Sequence, residues 1–410
     1  MNPVVALLRD PATIRARCHA LLALAERDAL PGFTLHLENL DRAADATVEV
    51  IRRVYPTLVI PYHARWRHFA VGGKDRWRAL ATAITTVSRT SAWELARLRL
   101  DLCVVSVLLD AGAGPTWRYR ERTTGQVHTR SEGLAVASFE AFRAGLFSSD
   151  PSQPLRADAD GLAKVSAAAL ARAFQVDQLN PLDGLEGRAA LLRRLGGVLR
   201  GRPDLFGAVP ARPGRLLDRL NEDAKDGQLP ARTILAALLD GLAPIWPGRL
   251  SIDGENLGDV WQHPVAAPDG PAPGLVPFHK LSQWLAYSLV EVFEGAGIAV
   301  TDLDALTGLP EYRNGGLFLD TGTLRLRDPA LAEAALPVDH PVVVEWRALT
   351  VALLDRLADL VRARLGVSAE AMPLARVLEG GTWSAGRRLA YLNRPSGTPP
   401  LRIVSDGTVF

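Results

Sequence analysis

Cysteine, lysine and charge of a single sign are all in short supply in this 410-residue sequence. The two cysteines, Cys18 and Cys103, stand apart, in no CxxC spacing and beside no patterned histidine, so they read as reduced core thiols of a cytoplasmic protein. Basic and acidic residues nearly cancel, 47 against 45 and interspersed, which leaves no one-signed field to hold a nucleic-acid backbone. No stretch of 18 apolar residues occurs and no leader-like apolar segment opens the chain, so no membrane association is expected. The eight histidines show no HxH or HExxH spacing, and neither a serine elbow nor a nucleotide-binding glycine fingerprint is present. Metal and cofactor are therefore both read as none. Only four basic residues are lysines (Lys74, Lys164, Lys225 and Lys280), which draws attention to each of them.

The hydrophobic content, 48%, is ample for a large core, and it recurs at helical spacing. Helices are predicted over 3–30, 40–55, 91–109, much of 155–206 with breaks at Asn180-Pro181 and Gly196-Gly197, 233–242, 281–296 and 341–365. Ser91 with Glu94 forms a capping box, and Ser131 and Glu132 are candidate caps of a short helix. Strand-like alternation is brief, at 33–37, at 117–121 with 126–128 as a hairpin, at 250–261, and at 317–320 with 323–326 as a second turn or hairpin. Nothing alternates strand and helix as a parallel sheet requires, so the fold class is mainly α with two or three minor β-hairpins. No linker or repeat divides residues 1–410. Approximate lobes are a helical part with a hairpin at 1–150, a Pro/Gly-interrupted helical middle at 151–275, and a cleft-forming part at 276–410 whose tail, 405–410, is expected to dock.

The chemistry centres on Phe278-His279-Lys280, the helix that follows, and Leu309-Pro310-Glu311-Tyr312-Arg313-Asn314-Gly315-Gly316. Lys280 sits on the first turn of its helix, where the amide ends already concentrate positive charge, so an anion should answer it. Lys280, Gln283 and Tyr287 recur at helical spacing and suggest one wall of a polar cleft, to which Glu311 returns. Glu345 and Arg347 flank Trp346 at the start of the 341–365 helix and are expected at the same mouth. A second dense run at 62–77, with His68, Asp75 and Trp77, alternates aromatic, cationic and acidic groups before and after Gly72-Gly73. With metals, thiols and serine nucleophiles set aside, carboxylates, one lysine and arginines remain. Such a set suits cleavage of an N-glycosidic bond, whose oxocarbenium-like transition state a carboxylate stabilises while it orients water. A plain structural ion pair between Lys280 and Glu311 is the competing reading.

At these residues the sequence resembles the uracil catabolism protein four family of fungi and bacteria. Matching motifs run through the chain: 66–77, 106–114, 130–138, 180–188, 276–287, 306–316, 343–354, 378–383 and 405–410. The resemblance implies a step after ring opening of a uridine nucleotide, in which a ribosylurea, read as its 5′-phosphate, releases urea. A second similarity joins Phe278-His279-Lys280-Leu281-Ser282-Gln283 and Glu311-Tyr312-Arg313 to the queuosine-nucleotide N-glycosylase family, which implies a two-lobed helical fold similar to helix-hairpin-helix DNA glycosylases. Glu311 stands where that family has Asp, and His279 where it has Tyr.

The resulting expectation is a metal-independent N-glycosidase. Glu311, Lys280 and Asp75 are its candidate catalytic residues, and His279, Gln283, Tyr312, Arg313, Trp346, Arg347, His68 and Trp77 its candidate substrate-binding residues. Its partners are a small nucleotide-derived ribosylurea and other enzymes of uracil degradation. The alternatives are a non-catalytic ligand-binding or scaffold protein of that pathway and a ureide amidohydrolase. A DNA glycosylase is disfavoured by the charge balance.

Overall fold

The computed structural model describes all residues except Met1, Ala111, Pro115, Pro268, Pro395 and 405–410, so the expected docking of the 405–410 tail lies outside the described residues. Two units emerge, each gathered from separated stretches. The first takes the chain up to His63, Gly248–Gln283 and residues 302–404, and the second takes Ala64–Pro247 and Trp284–Thr301. The division falls inside the helix Lys280–Gly295. Mainly helical architecture is what the periodicity predicts, and every sheet among the described residues has only two strands. No helix among those residues is long and apolar enough to cross a membrane.

In the first unit the long helix Pro341–Leu365 packs against Pro11–Glu26 and Leu40–Val54 through an apolar stripe that includes Leu349, Leu353 and Leu357, all fully buried. His340 caps its start with Nδ1 and Pro341 fits the first turn, while Gly366 at φ 69° ends it in the left-handed conformation that glycine adopts without strain. The expected 3–30 helix is broken at Asp10, which ends Pro3–Arg9 and caps Pro11–Glu26. Residues 317–320 and 323–326, expected as a turn or hairpin, are joined by a turn at 321–322 but form no hairpin. Glu311 caps a helix, Tyr312–Asp320, that absorbs the first half, and Leu324–Leu326 instead pairs antiparallel with Phe33–Leu35.

The second unit contains Ala92–Leu108, opened as expected by Ser91 Oγ accepting the Glu94 amide, and the hairpin of Arg118–Arg120 with Val127–Thr129. Ser131 and Glu132 are not caps: the helix runs from Arg130 to Arg143 behind Thr129, and the Ser131 hydroxyl donates to Asp110 at 2.6 Å. Nor does the helix Leu185–Gly201 break at Gly196-Gly197. Gly196 is there because a Cβ would lie 2.6 Å from the Ala159 carbonyl oxygen and 2.9 Å from the Ala163 amide, so the bare backbone lets the helix Ala159–Ala163 approach. Both thiols are buried, Cys18 in the first unit and Cys103 in the second. Burial pushes the Cys18 thiol far up and that of Cys103 up to about 12, which makes both poor nucleophiles.

The adjacent glycines give a paired test by urea denaturation. Gly196→Ala forces a methyl onto fixed backbone and should cost about 1–3 kcal/mol. Gly197→Ala, whose Cβ meets nothing within 4 Å, should instead be neutral or gain up to about 1 kcal/mol.

Candidate functional site

An anion stands at the start of the Lys280–Gly295 helix, and it is Asp259. One carboxylate oxygen accepts the Lys280 backbone amide at 2.9 Å, where the helix end favours negative charge. The carboxylate is also clamped by Arg347, whose Nη1 and Nη2 donate to its two oxygens at 2.8 Å each, and by Trp261 Nε1 at 2.6 Å. The Asp259 carbonyl receives the amides of Phe278 at 2.9 Å and His279 at 3.3 Å. Arg347 is 1% exposed and stacks over the Phe278 ring at 4.1 Å. Burial pushes the Asp259 carboxyl up, but the charge and hydrogen bonds of Arg347, with Trp261 and the Lys280 amide, outweigh it and hold the group well below the usual carboxylate range.

His279 is the hinge between this clamp and the helix. Its φ of 48° is the left-handed region, which a non-glycine residue enters only when its surroundings hold it there. The buried ring approaches the Leu8 carbonyl through Nε2 at 3.0 Å; a carbonyl can only accept, so Nε2 carries the proton. Burial pushes the His279 imidazole below its ordinary value and keeps it neutral. Gln283 and Tyr287, expected on an open cleft wall, are fully buried. The Gln283 amide donates to Thr307 Oγ1 at 2.7 Å and accepts from the Thr307 amide at 3.3 Å, tying the helix start to the segment that leads into Glu311.

Each residue of Glu311-Tyr312-Arg313-Asn314-Gly315 has a defined place. The Glu311 carboxylate caps the helix Tyr312–Asp320, accepting the amides of Arg313 at 3.0 Å and Asn314 at 2.5 Å. Arg313 lies over the Trp383 ring at 4.2 Å and the Tyr312 ring at 5.3 Å, and its Nε reaches the Tyr312 hydroxyl at 3.2 Å. Asn314 bonds the Leu309 carbonyl and Thr382. Gly315 is required because a Cβ would lie 2.6 Å from the Trp346 indole, whose Nε1 donates to the Gly315 carbonyl at 3.1 Å. Glu345 points elsewhere: fully buried, it accepts the Gly32 and Phe33 amides and stands 3.3 Å from His263.

Three of the predicted stretches therefore converge in the first unit. Lys280 and Gln283, the 306–316 segment, and Trp346-Arg347 are linked by Gln283 to Thr307, by Gly315 to Trp346, and by Arg347 through Asp259 to the Lys280 amide. Lys280 and Tyr312 are partly exposed, whereas His279, Gln283, Trp346 and Arg347 are buried and hold other groups in place.

His68, Asp75 and Trp77 belong to the second unit. Asp75 is exposed and caps the helix Arg76–Val87 through the Arg78 amide at 2.9 Å. Trp77 packs on Trp66 at 5.8 Å between ring centres. His68 Nδ1 lies 3.2 Å from Arg65 Nη1 and 3.3 Å from Ser131 Oγ, within a cluster that holds Asp110 3.1 Å from Arg65. The density of the 66–77 run comes largely from Arg76, which threads it by donating to the carbonyls of Phe69, Val71 and Lys74 and to Glu121. Among the described residues no group of three or more His, Cys, Asp or Glu is arranged to hold a metal ion.

The family described as "protein of unknown function (DUF1688)" matches residues 7–410. The chain belongs to it. Protein urg3 of Schizosaccharomyces pombe is 40% identical over 412 residues, covering 99% of each chain, and uracil catabolism protein 4 of Lachancea kluyveri is 38% identical over 408 residues, covering 92% of each. The resemblance carried by the motifs from 66 to 410 thus extends to the whole chain. Asp259, Thr307, Asn314 and Thr382 are the residues around the site that sequence reasoning left unassigned. For Asp259 the one local signal was an acidic residue after Gly258, upstream of a helix that begins with a cation.

Asp259→Asn tests the clamp. Because it removes the charge that neutralises a buried guanidinium and turns one of its two acceptor oxygens into a donor, it should cost about 3–5 kcal/mol near neutral pH in urea denaturation. The folded-state carboxyl is depressed, so its contribution is complete above the unfolded value near 4 and is lost as the pH falls below it. The wild type should therefore lose more stability than Asp259→Asn between pH 5 and about pH 2.

Proposed function

We propose that the chain acts in uracil catabolism by hydrolysing the N-glycosidic bond of a ribosylurea 5′-phosphate. The observation that carries this reading is the near-full-length likeness to a protein named uracil catabolism protein 4. The convergence of the Lys280 and Glu311 stretches supplies a chemistry for it.

In this reading the C1′–N bond breaks, water adds its oxygen to C1′, and the urea nitrogen leaves with a proton. Positive charge grows on the sugar ring in the transition state, so the work required is electrostatic. Glu311 is the assigned carboxylate. Two amides fix its orientation, so it meets the developing oxocarbenium centre and the attacking water without reorganising, and each oxygen retains acceptor capacity beyond its capping bond. Lys280 supplies the ammonium that complements Glu311 and holds a substrate oxygen. Its backbone is fixed by Asp259 while its side chain is partly exposed. Tyr312 and Arg313 are the substrate-holding members of the motif. His279, Gln283, Trp346 and Arg347 are positioning residues, since their polar atoms bond Leu8, Thr307, Gly315 and Asp259. Asp75 is left to its cap. A helical scaffold akin to helix-hairpin-helix glycosylases belongs to the same proposal.

The test is incubation of the purified protein with synthetic ribosylurea 5′-phosphate and assay of urea. Urea and ribose 5-phosphate in equal amounts are expected, with Lys280→Ala and Glu311→Gln each lowering kcat/KM by about 100-fold or more. Bound but unaltered substrate would favour the scaffold alternative, and ammonia with carbon dioxide in place of urea would favour the amidohydrolase. Wild-type turnover in both variants would overturn the site assignment.

A further inference from the structure

The second unit holds a cavity of about 420 Å³ that none of this chemistry uses. Tyr119 from the hairpin, Arg122 from its turn, Glu140 and Arg143 from the end of the helix Arg130–Arg143, and Arg172 and Gln175 around the end of the helix Ala167–Ala173 line it. Three guanidinium groups thus face one carboxylate. Arg143 answers that carboxylate, donating to Glu140 through Nε at 3.0 Å and Nη2 at 2.6 Å. The guanidinium groups of Arg122 and Arg172 make no hydrogen bond or ion pair with any described residue. Placement of Arg143 and Arg172 in the last turns of their helices is favourable for cations, but it uses none of the donors of Arg172.

Tyr119 adds a further donor. The residue is 4% exposed, it lines the cavity, and its hydroxyl bonds no described residue, which leaves it open to a ligand there. Burial, with Glu140 nearby, pushes the Tyr119 hydroxyl up to about 12, so it remains a proton donor. The wall is held rigid. Gln175, at φ 56°, accepts the Arg120 amide at 2.9 Å and donates to the Arg120 carbonyl at 2.8 Å, anchoring the hairpin beside the end of the Ala167–Ala173 helix.

We propose that this cavity binds a phosphomonoester of sugar or nucleotide size, with Arg122 and Arg172 on the phosphate oxygens and the Tyr119 hydroxyl as a further donor. Planar guanidinium groups recognise phosphate oxygens in pairs, a phosphomonoester carries nearly two negative charges at neutral pH, and the volume suits a ligand of that size. The site is separate from the residues given to the hydrolytic reading and does not depend on it.

Isothermal titration of the full chain with glycerol 1-phosphate at low ionic strength tests it. Saturable submillimolar binding is expected, weakened about tenfold or more by Arg122→Gln/Arg172→Gln, whose side chains are exposed, and unchanged by Lys280→Ala. No saturable binding, binding indifferent to the double substitution, or binding abolished by Lys280→Ala would each overturn the proposal.

Discussion

The arrangement of the first unit depends on one carboxylate shared between a buried guanidinium and the end of a helix. Asp259 neutralises Arg347, and the same carboxylate receives the first amide of the Lys280–Gly295 helix. Arg347 is 1% exposed, and a guanidinium at such a position is costly unless a geometrically matched anion accompanies it. The pair is the condition on which the long helix Pro341–Leu365 can place a cation inside the protein. Once it forms, the backbone of Lys280 is no longer free to move.

From that clamp the remaining constraints follow in a circuit. Three residues beyond Lys280, Gln283 bonds Thr307. Four residues beyond Thr307, Glu311 caps the next helix, and the Gly315 carbonyl meets Trp346, which is next to Arg347. A circuit closed by hydrogen bonds among buried groups has few alternative geometries, because opening any link strands a polar atom. This is the kind of rigidity that electrostatic catalysis requires, since a group that must swing into place forfeits much of its advantage.

Local signals in the sequence were sufficient for much of this. Helical spacing placed Lys280, Pro341 and Gly366 at helix ends to within a residue, and the Ser91 cap and the 118–129 hairpin form as their residue types predict, although the Glu94 carboxylate goes to Arg97 and Arg212. What failed was competition settled by distant partners. Gly196 looks like a break, yet it serves close packing on Ala159. Residues 317–320 look extended, yet the Glu311 cap recruits them into a helix. Ser131 looks like a cap, yet Asp110 takes its hydroxyl. The candidate site was legible as stretches and not as contacts. Asp259 lies 21 residues before Lys280 and 88 before Arg347, and no local periodicity links positions so far apart. Sequence reasoning also read Gln283, Trp346 and Arg347 as ligand contacts, whereas their polar atoms hold Thr307, Gly315 and Asp259. A polar or aromatic residue in a dense motif can be there to build the site rather than to touch what it binds.

In the proposed reading Glu311 combines two tasks that ordinarily compete, for a capping carboxylate is engaged by amides and a catalytic one must face substrate. Two amides leave acceptor capacity on both oxygens, so the cap can serve as the means of aiming the carboxylate. The central claim, that Glu311 and the Lys280 ammonium act on one transition state, is tested most directly by a double-mutant cycle on urea release from ribosylurea 5′-phosphate, using wild type, Lys280→Ala, Glu311→Gln and the double variant. The account predicts strong non-additivity, with the double variant scarcely slower than the slower single one. Single losses that simply multiply in the double variant would contradict it.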